Sequence, residues 1–196
     1  TPYSRYGTPT APRIRSTRCC SRNACPTWSI RCSTFTTSKV ISPVWHLYGS
    51  DTREMIGIQS VPVVADAVMK GFPGIDYDRA FEAMKRSMLS DYKGLAWLRT
   101  QDYIPSDKEG ESVAKGLEYA LADGSIAAEK LGREEDARLF GRRARFYTSY
   151  WDPETRFFRG RNLNGSFREP FDPFHSTHRN DDYCEGTGWQ YIWLVP

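Results

Sequence analysis

The chain has 196 residues, of which 39% are hydrophobic and 14% are aromatic, and this composition suits one domain with a sizeable core. We expect no membrane span, because no run of eighteen apolar residues occurs, and the N-terminus shows no apolar segment of the signal-peptide type. The formal net charge of +3 comes from residues 1–38, which carry six arginines and no carboxylate; residues 39–196 hold 21 basic and 24 acidic side chains. Nucleic-acid binding would therefore rest on the first segment alone, and we expect none from the body of the chain.

Residues 1–38 differ from the rest of the chain in their cysteine content. Four of the five cysteines lie there, at Cys19, Cys20, Cys25 and Cys32. They include no CxxC pair, and no histidine precedes His46, so the spacing argues against a zinc site. The segment also lacks a sustained helical or strand period.

Two explanations fit residues 1–38. One is a disordered basic arm, although such arms rarely carry so many cysteines. The other is translation in the wrong reading frame. Sliding the frame one base upstream permits LWDTYRA over residues 6–12 and LLQPERVPDMV over residues 19–29, and both strings are compatible with helices. We therefore predict a frameshifted or disordered segment without a native fold at 1–38.

Helical patterns begin after residue 44. Residues 44–71 are predicted as a loop that leads into a helix, with Pro62 in its first turn or at a kink. Residues 76–91 have apolar side chains on one helix face, at Tyr77, Ala80, Phe81, Met84 and Met88. Residues 95–109 contain two turn signals and are predicted to be a loop.

Residues 111–132 and 133–152 are predicted as two helices with a very short connection, which indicates an antiparallel helical hairpin. The first apolar face consists of Val113, Leu117, Ala120, Leu121, Gly124, Ala128 and Leu131. The second consists of Ala137, Phe140, Gly141, Ala144, Tyr147 and Trp151. Small residues at Gly124 and Gly141 are expected to let the two helices approach closely.

Residues 152–196 show little periodicity and interleave arginine and phenylalanine with Asp, Asn and His. A long irregular stretch of this kind, next to helices, is where a binding or catalytic site is commonly built. It contains DYCEGTGWQY at residues 182–191, in which Glu185 is the one glutamate. The glycines on its C-terminal side allow a ligand to approach the backbone closely.

Two interpretations of Glu185 stay open on the residues alone. Its aromatic neighbours would form apolar walls that raise a carboxyl pKa, as a glycosidase general acid requires; these are Tyr183, Trp189, Tyr191 and Trp193. Alternatively, Glu185 is a carboxylate near the start of a helix, where the helix dipole stabilises it.

Other polar residues are weaker candidates. Asp181 and Asp182 suggest a metal site, but a capping and turn cluster is the simpler interpretation. His175 and His178 lack a third well-spaced ligand. His46 fits either a contact with a sugar hydroxyl or a buried hydrogen bond.

Several stretches, in order, resemble glycoside hydrolase family 92. They include VWHLYGSDTREMIGIQSVPVVADA, YIPSDKEGESVAKGLEYALAD, PETRFFRGRNLNGSF and EGTGWQYIWLVP. The resemblance covers residues 39–196, and the strings permitted by the shifted frame extend it upstream. Members of this family are exo-acting α-mannosidases, mainly α-1,2, which trim mannose from N-glycans and yeast mannan.

The resemblance implies a mainly all-α fold, a partial (α/α)6 toroid made of helical hairpins with long irregular loops. Residues 39–196 would be the N-terminal part of the catalytic domain, with the rest of the toroid and a preceding β-sandwich domain missing. The implied enzyme is inverting, depends on Ca²⁺, acts on a mannose-containing glycan and is periplasmic or secreted.

The resemblance also implies roles for individual residues. The glutamate of the family's EGNxWQY motif is the general acid, and it falls on Glu185. Gln190 matches the motif glutamine and is expected to contact substrate or metal, and Trp189 and His46 are expected to contact substrate. Thr187 replaces the motif asparagine, which leaves the acid unchanged.

The family's general base lies in a GNDD-like motif that is expected downstream of residue 196. We therefore predict that this polypeptide alone does not hydrolyse mannosides. The alternative is a non-catalytic carbohydrate-binding helical module or a gene remnant.

Overall fold

The computed structural model describes residues 53–126, 131–177 and 181–194, and the backbone pairing of β1 (His46–Leu47) with β2 (Ser50–Asp51). Its helices are α1 (Ser60–Met69), α2 (Tyr77–Met88), α3 (Ser112–Ser125), α4 (Glu134–Arg143) and α5 (Gly188–Tyr191). Two 3₁₀ segments, Tyr92–Arg99 and Phe146–Tyr150, and a second antiparallel pair, β3 (Trp151–Asp152) with β4 (Phe157–Phe158), complete the elements. The described chain is mainly helical, as predicted.

Local sequence accounts for the limits of the first two helices. Pro62 lies in the first turn of α1, where its missing N–H removes no helical hydrogen bond. After α1 the chain turns at Gly71, whose φ of 69° favours glycine. The carboxylate of Asp76 accepts the backbone N–H of Arg79 at 3.0 Å and so caps the N-terminus of α2.

Helix α3 is buried along most of its length, because it packs between two apolar clusters. The first cluster joins α3 to α1, α2, α4 and the first 3₁₀ segment, through residues that include Val61, Val64, Phe81, Met84, Leu95, Tyr119 and Phe140. The second cluster joins α3 to β4 and the C-terminal loop, through Ile56, Tyr103, Val113, Ala114, Leu117, Tyr150, Phe158, Tyr183 and Tyr191. The loop that contains Glu185 is thereby attached to the core.

Helix α4 is shorter than predicted, and a buried ion pair contributes to the packing of α3 against α4. The predicted apolar face ran on to Trp151, but α4 ends at Arg143 and Trp151 lies in β3 with 39% of its surface exposed. Arg143 Nε donates to Asp123 Oδ2 at 2.9 Å, and both side chains are 1% exposed. This buried ion pair links α3 to α4.

Gly124 and Gly141 were both predicted to allow a close approach of the two helices, and the prediction holds for Gly124 only. A β-carbon placed on Gly124 would contact the Cβ of Ala144 at 3.4 Å, but one placed on Gly141 would meet nothing within 4 Å. The tightest approach along α3 is at Gly116, where a β-carbon would overlap the buried ring of Tyr150. No pattern in the sequence predicts this contact of Gly116.

Arg159 organises the loop after β4. It is 6% exposed and donates to the carboxylates of Asp152 at 2.8 Å and Glu169 at 2.5 Å. Its guanidinium also lies 4.5 Å from the centroid of the Phe171 ring. These contacts hold residues 167–171 against the β3–β4 hairpin. None of the described helices is long and apolar enough to cross a membrane.

Candidate active site

The segment 181–186, which precedes α5, is docked on the N-terminus of α3. The backbone N–H groups of Val113 and Ala114 donate to the carbonyl oxygen of Asp182, at 3.0 and 3.1 Å. The first N–H groups of a helix have no partner within the helix, and here a carbonyl of the loop satisfies them. Because α3 is buried along most of its length, the loop is attached to a rigid element of the core.

The carboxylates of Asp181 and Asp182 bind protein groups around this docking point. Asp181 Oδ1 accepts the N–H of Asp182 at 2.6 Å, and Asp182 Oδ1 accepts from Ser112 Oγ at 3.2 Å and Arg168 Nη1 at 3.3 Å. Burial raises the pKa of Asp182, and the Arg168 guanidinium opposes that rise. A β-carbon on Gly160 would overlap the Asp182 carboxylate, so glycine leaves the space for it. These contacts match the capping and turn interpretation.

Glu185 is exposed, and its backbone lies in the left-handed region with φ of 48°. This conformation costs a residue with a β-carbon about 1–2 kcal/mol. It persists where the surroundings impose it, and such residues cluster at functional sites. Two of the expected apolar walls, Tyr183 and Tyr191, are buried in the second core cluster and do not enclose the Glu185 side chain from solvent.

The hydroxyl groups of these two tyrosines bind backbone groups, one within the loop and one in β4. Tyr191 Oη donates to the carbonyl of Cys184 at 2.8 Å and accepts the N–H of the same residue at 3.1 Å. Tyr183 Oη donates to the carbonyl of Phe158 at 2.6 Å. The two rings are stacked with centroids 5.1 Å apart. Both residues were predicted only as apolar walls, although a buried tyrosine hydroxyl also needs a hydrogen-bond partner.

Cys184 is held as a neutral thiol. Its thiol donates to the carboxylate of Glu111, and burial raises its pKa to about 11, with a further rise from Glu111. Lys115, which is buried, donates to Glu109 Oε1 at 2.5 Å and to the carbonyl of Gly110 at 2.7 Å. At neutral pH Cys184 therefore carries a proton, and it is not an activated nucleophile.

Helix α5 begins with a capping box. The side chain of Thr187 accepts the N–H of Gln190, and Gln190 Oε1 accepts the N–H of Thr187 at 2.8 Å. Threonine is a good N-cap residue, so its presence in place of the motif asparagine keeps the start of the helix intact. Gln190 is exposed, but its amide oxygen is engaged in this cap; its expected contact with substrate or metal stays a prediction.

An aromatic surface lies at the start of α5. Trp189 is 49% exposed and meets Phe157 edge to face, with centroids 5.0 Å apart. Phe174, which is 72% exposed, lies 6.1 Å from Trp189 by centroid distance. Exposed aromatic faces offer a stacking surface to an apolar sugar face. The expected contact of Trp189 with substrate is compatible with this exposure.

His175 is the one histidine whose side chain lies in the described part of the chain. His46 pairs with Asp51 through the backbone in the β1–β2 hairpin, and its side chain lies outside the described residues. His175 Nε2 is 3.9 Å from Asp181 Oδ2, and His178 lies outside the described residues.

The residues 53–126, 131–177 and 181–194 contain no group of three or more His, Cys, Asp or Glu side chains that could hold a metal ion. Calcium takes six to eight oxygen ligands in proteins. Asp182 and Glu109 are instead bound to Ser112, Arg168 and Lys115, and only Asp181 Oδ2 among these oxygens is buried without a hydrogen-bond partner in the described part of the chain. The described side chains therefore do not form a calcium site by themselves.

The comparisons with known proteins agree on one family. A model of the glycosyl hydrolase family 92 catalytic domain matches residues 31–196. The family GH92 α-mannosidase BT3965 from Bacteroides thetaiotaomicron, solved alone and in complex with mannoimidazole, is 40% identical, covers 90% of this chain and has a TM-score of 0.85. The family GH92 inverting mannosidase BT2199 from the same organism is 29% identical, covers 87% of this chain and has a TM-score of 0.78. No curated protein matches the chain.

The chain spans 24% of the length of each of these solved relatives. Its helices match part of their (α/α)6 toroid, as predicted from the resemblance. The family match starts inside the segment 1–38, most of which it leaves out, and this segment lies outside the described residues. The boundary at residue 38 stays a prediction. The chain belongs to glycoside hydrolase family 92.

Proposed function

We propose that the chain is part of an inverting exo-α-mannosidase that removes terminal mannose from N-glycans or mannan, mainly at α-1,2 linkages. The support is the identity of 40% to an α-mannosidase over 90% of the chain, and mannoimidazole is the ligand in one structure of that relative. The second relative is named an inverting mannosidase. By family analogy, we assign the protein to the periplasm or to secretion.

In this proposal Glu185 is the general acid. It gives its proton to the glycosidic oxygen while the bond from that oxygen to C1 of mannose breaks. A general base takes a proton from water, which attacks C1 from the opposite face. In inverting enzymes the two carboxyl groups lie about 6.5–9.5 Å apart to leave room for this water. No residue of this chain is assigned the role of that base.

One observation carries the role of Glu185: the motif glutamate is the exposed residue of a loop that the core holds on both sides, with its backbone at φ of 48°. Docking on α3 and the tyrosine contacts keep the loop in place. A general acid must lie within hydrogen-bond reach of the oxygen that it protonates. A fixed backbone and an exposed side chain support that assignment.

Substrate contacts are assigned to Trp189, Gln190 and His46. Trp189 offers an exposed aromatic face four residues after the acid, and the other two follow from the motif and the family resemblance. A requirement for calcium is also part of the proposal, on the resemblance alone. Because the described residues do not form its site, no catalytic step is assigned to the metal. Loss of mannose release on chelation, restored by added Ca²⁺, tests this requirement.

The test of the acid is Glu185→Gln in the protein expressed with its complete coding sequence. Glutamine keeps the shape but cannot supply the proton, so hydrolysis of α-1,2-mannobiose should fall by about 10²–10⁴-fold. Binding of mannobiose, measured by calorimetry, should be retained. Glu154→Gln, at an exposed glutamate in the β3–β4 turn, is the matched control and should keep full turnover.

Unchanged hydrolysis in the Glu185→Gln variant would remove Glu185 from the mechanism. The second candidate function is a module that binds glycans without cleaving them. Mannobiose binding without any turnover in the wild-type protein would establish that candidate instead.

A further inference from the structure

One phenol hydroxyl holds the residue that precedes the proposed acid. Tyr191 Oη donates to the carbonyl oxygen of Cys184 at 2.8 Å and accepts the N–H of Cys184 at 3.1 Å. The carbonyl of Cys184 belongs to the peptide group that joins it to Glu185. Fixing that oxygen restricts rotation of the peptide plane, and because the chain is also held at the capping box of α5, this restricts φ of Glu185.

The conformation at Glu185 needs such a constraint. Its φ of 48° is unfavourable for a residue with a β-carbon, so a free loop would relax towards negative φ. Such a relaxation would re-aim the carboxyl, because the side chain leaves from the same Cα. The backbone contacts of the loop with α3 lie before Cys184, and the capping box of α5 begins after Gly186. Between these two anchors, the Cys184 thiol bonds to Glu111, and Tyr191 supplies the hydrogen bonds to the Cys184 backbone.

Tyr191 is itself well held. It is 9% exposed, and its ring stacks on Tyr183 with an interplanar angle of 28°. Burial raises its pKa to about 12, so the hydroxyl keeps the proton that it donates. A β-carbon on Gly186 would lie 3.0 Å from Cε2 of Tyr191, so the loop and the ring are already in close contact. The hydroxyl therefore has little freedom to leave Cys184.

We propose that Tyr191 is a positioning residue for Glu185: its hydroxyl fixes the Cys184–Glu185 peptide so that the carboxyl is aimed at the glycosidic oxygen. This inference rests on the proposed function. It assigns no contact between Tyr191 and the substrate. Tyr191 would keep the Glu185 carboxyl in its reactive position, because a displacement of about 1 Å in a reacting group can lower the rate about 10²-fold.

Two substrates with different leaving groups distinguish a positioning role of Tyr191 from a general effect on stability. An α-mannosidase needs its acid when the leaving group is another sugar, because an alkoxide is a poor leaving group. Fluoride leaves as the anion, so hydrolysis of α-mannosyl fluoride does not depend on a proton from the acid. A misplaced Glu185 should therefore slow mannobiose hydrolysis and spare the fluoride.

The experiment compares both substrates in Tyr191→Phe, made in the protein expressed with its complete coding sequence. Phenylalanine keeps the ring stack and removes only the hydroxyl. We expect kcat on α-1,2-mannobiose to fall about 10–100-fold with KM nearly unchanged, and kcat on α-mannosyl fluoride to fall less than about 3-fold. Equal losses on both substrates, or no loss on either, would overturn the inference.

Tyr119→Phe is the matched control. It also removes a buried hydroxyl that donates to a backbone carbonyl, that of Lys93 at 3.1 Å, but it lies in the first core cluster. We expect this variant to lower Tm and to leave the ratio of the two rates unchanged. The same leaving-group effect in Tyr119→Phe would show that the ratio reports stability, and would overturn the inference.

Two further variants keep the test decisive. If Tyr191→Phe does not fold, Gly186→Ala presses on the Tyr191 ring and on Gln190 Oε1 without removing a hydrogen-bonding group, and it should give the same difference between substrates. Equal losses on both substrates in Gly186→Ala would again overturn the inference. Glu185→Gln, tested in parallel, identifies failure of the proposed function: if it hydrolyses mannobiose normally, there is no acid at that position to aim.

Discussion

Gly116→Ala tests the packing of α3 against the element that precedes β3. In the native structure a β-carbon at this position would lie 2.5 Å from Cε2 of Tyr150, and closer still to Cζ and Oη. Carbon atoms in contact are normally about 3.5–4.0 Å apart, so the ring would have to move by about 1 Å. Tyr150 is fully buried, and its hydroxyl accepts the N–H of Ile104 at 2.8 Å.

These contacts give an estimate of the loss of stability in Gly116→Ala. Overpacking of a core costs about 1–3 kcal/mol, and losing the bond to Ile104 adds about 0.5–1.5 kcal/mol. Replacing glycine by alanine within a helix stabilises the helix by about 0.5–1 kcal/mol, which offsets part of this loss. The net loss for Gly116→Ala is therefore about 0.5–4 kcal/mol.

Gly141→Ala is the matched control, because Gly141 lies inside α4 and a β-carbon there would meet nothing within 4 Å. This variant should be more stable than wild type by about 0.5–1 kcal/mol. The assay is urea unfolding of both variants and of the wild-type protein at one pH. Equal stability of the two variants would refute the reasoning, since both replace a helical glycine and only one meets a neighbour.

Three other predictions follow from the described contacts and the sequence. Arg143→Met leaves Asp123 buried without its cation and should cost about 3–5 kcal/mol in urea unfolding, and adding Asp123→Leu should recover most of that loss. Burial raises the pKa of Glu118 above 4.5, so the folded state holds this proton more tightly than the unfolded state. The resulting stability is present below the unfolded pKa and is lost as pH rises through the folded pKa. Relative to wild type, Glu118→Gln should therefore gain stability as pH rises from about 4 to 7, and a constant difference would contradict this. Sequencing the coding DNA for residues 1–38 should reveal a missing or extra base whose correction restores LWDTYRA; DNA that confirms every printed residue would refute the frame error.

The period of the apolar residues correctly predicted helices that pack on the core through one face. Helix α2 matches its predicted face from Tyr77 to Met88, because its apolar residues repeat at the helical spacing and Asp76 provides a cap. Helix α4 was predicted too long. The apolar pattern continues to Trp151, but the backbone changes to 3₁₀ turns at Phe146 and then to β3, and those apolar residues pack from other elements.

The motif identified which segment carries the candidate site. The geometry of that segment could not be predicted from the spacing of its residues in the sequence. Trp189 and Gln190 were selected by the motif, while Tyr191 was expected to act only through its apolar ring. The contacts that hold the loop join residues that are distant in sequence, such as Val113 with Asp182. Which carbonyl a buried hydroxyl binds depends on how these elements pack.

The sequence by itself determined the family, the helical class of the chain and the position of the motif glutamate, because these depend on residue identity and on the period of apolar residues. The tertiary structure alone decided that Gly116 faces Tyr150 and that Gly141 faces solvent, since the two glycines look alike in a helical sequence. It also decided that Glu185 stands exposed with a left-handed backbone, next to a peptide held by Tyr191. Close contacts and backbone strain arise from the simultaneous packing of several elements, and no local pattern of residues encodes them.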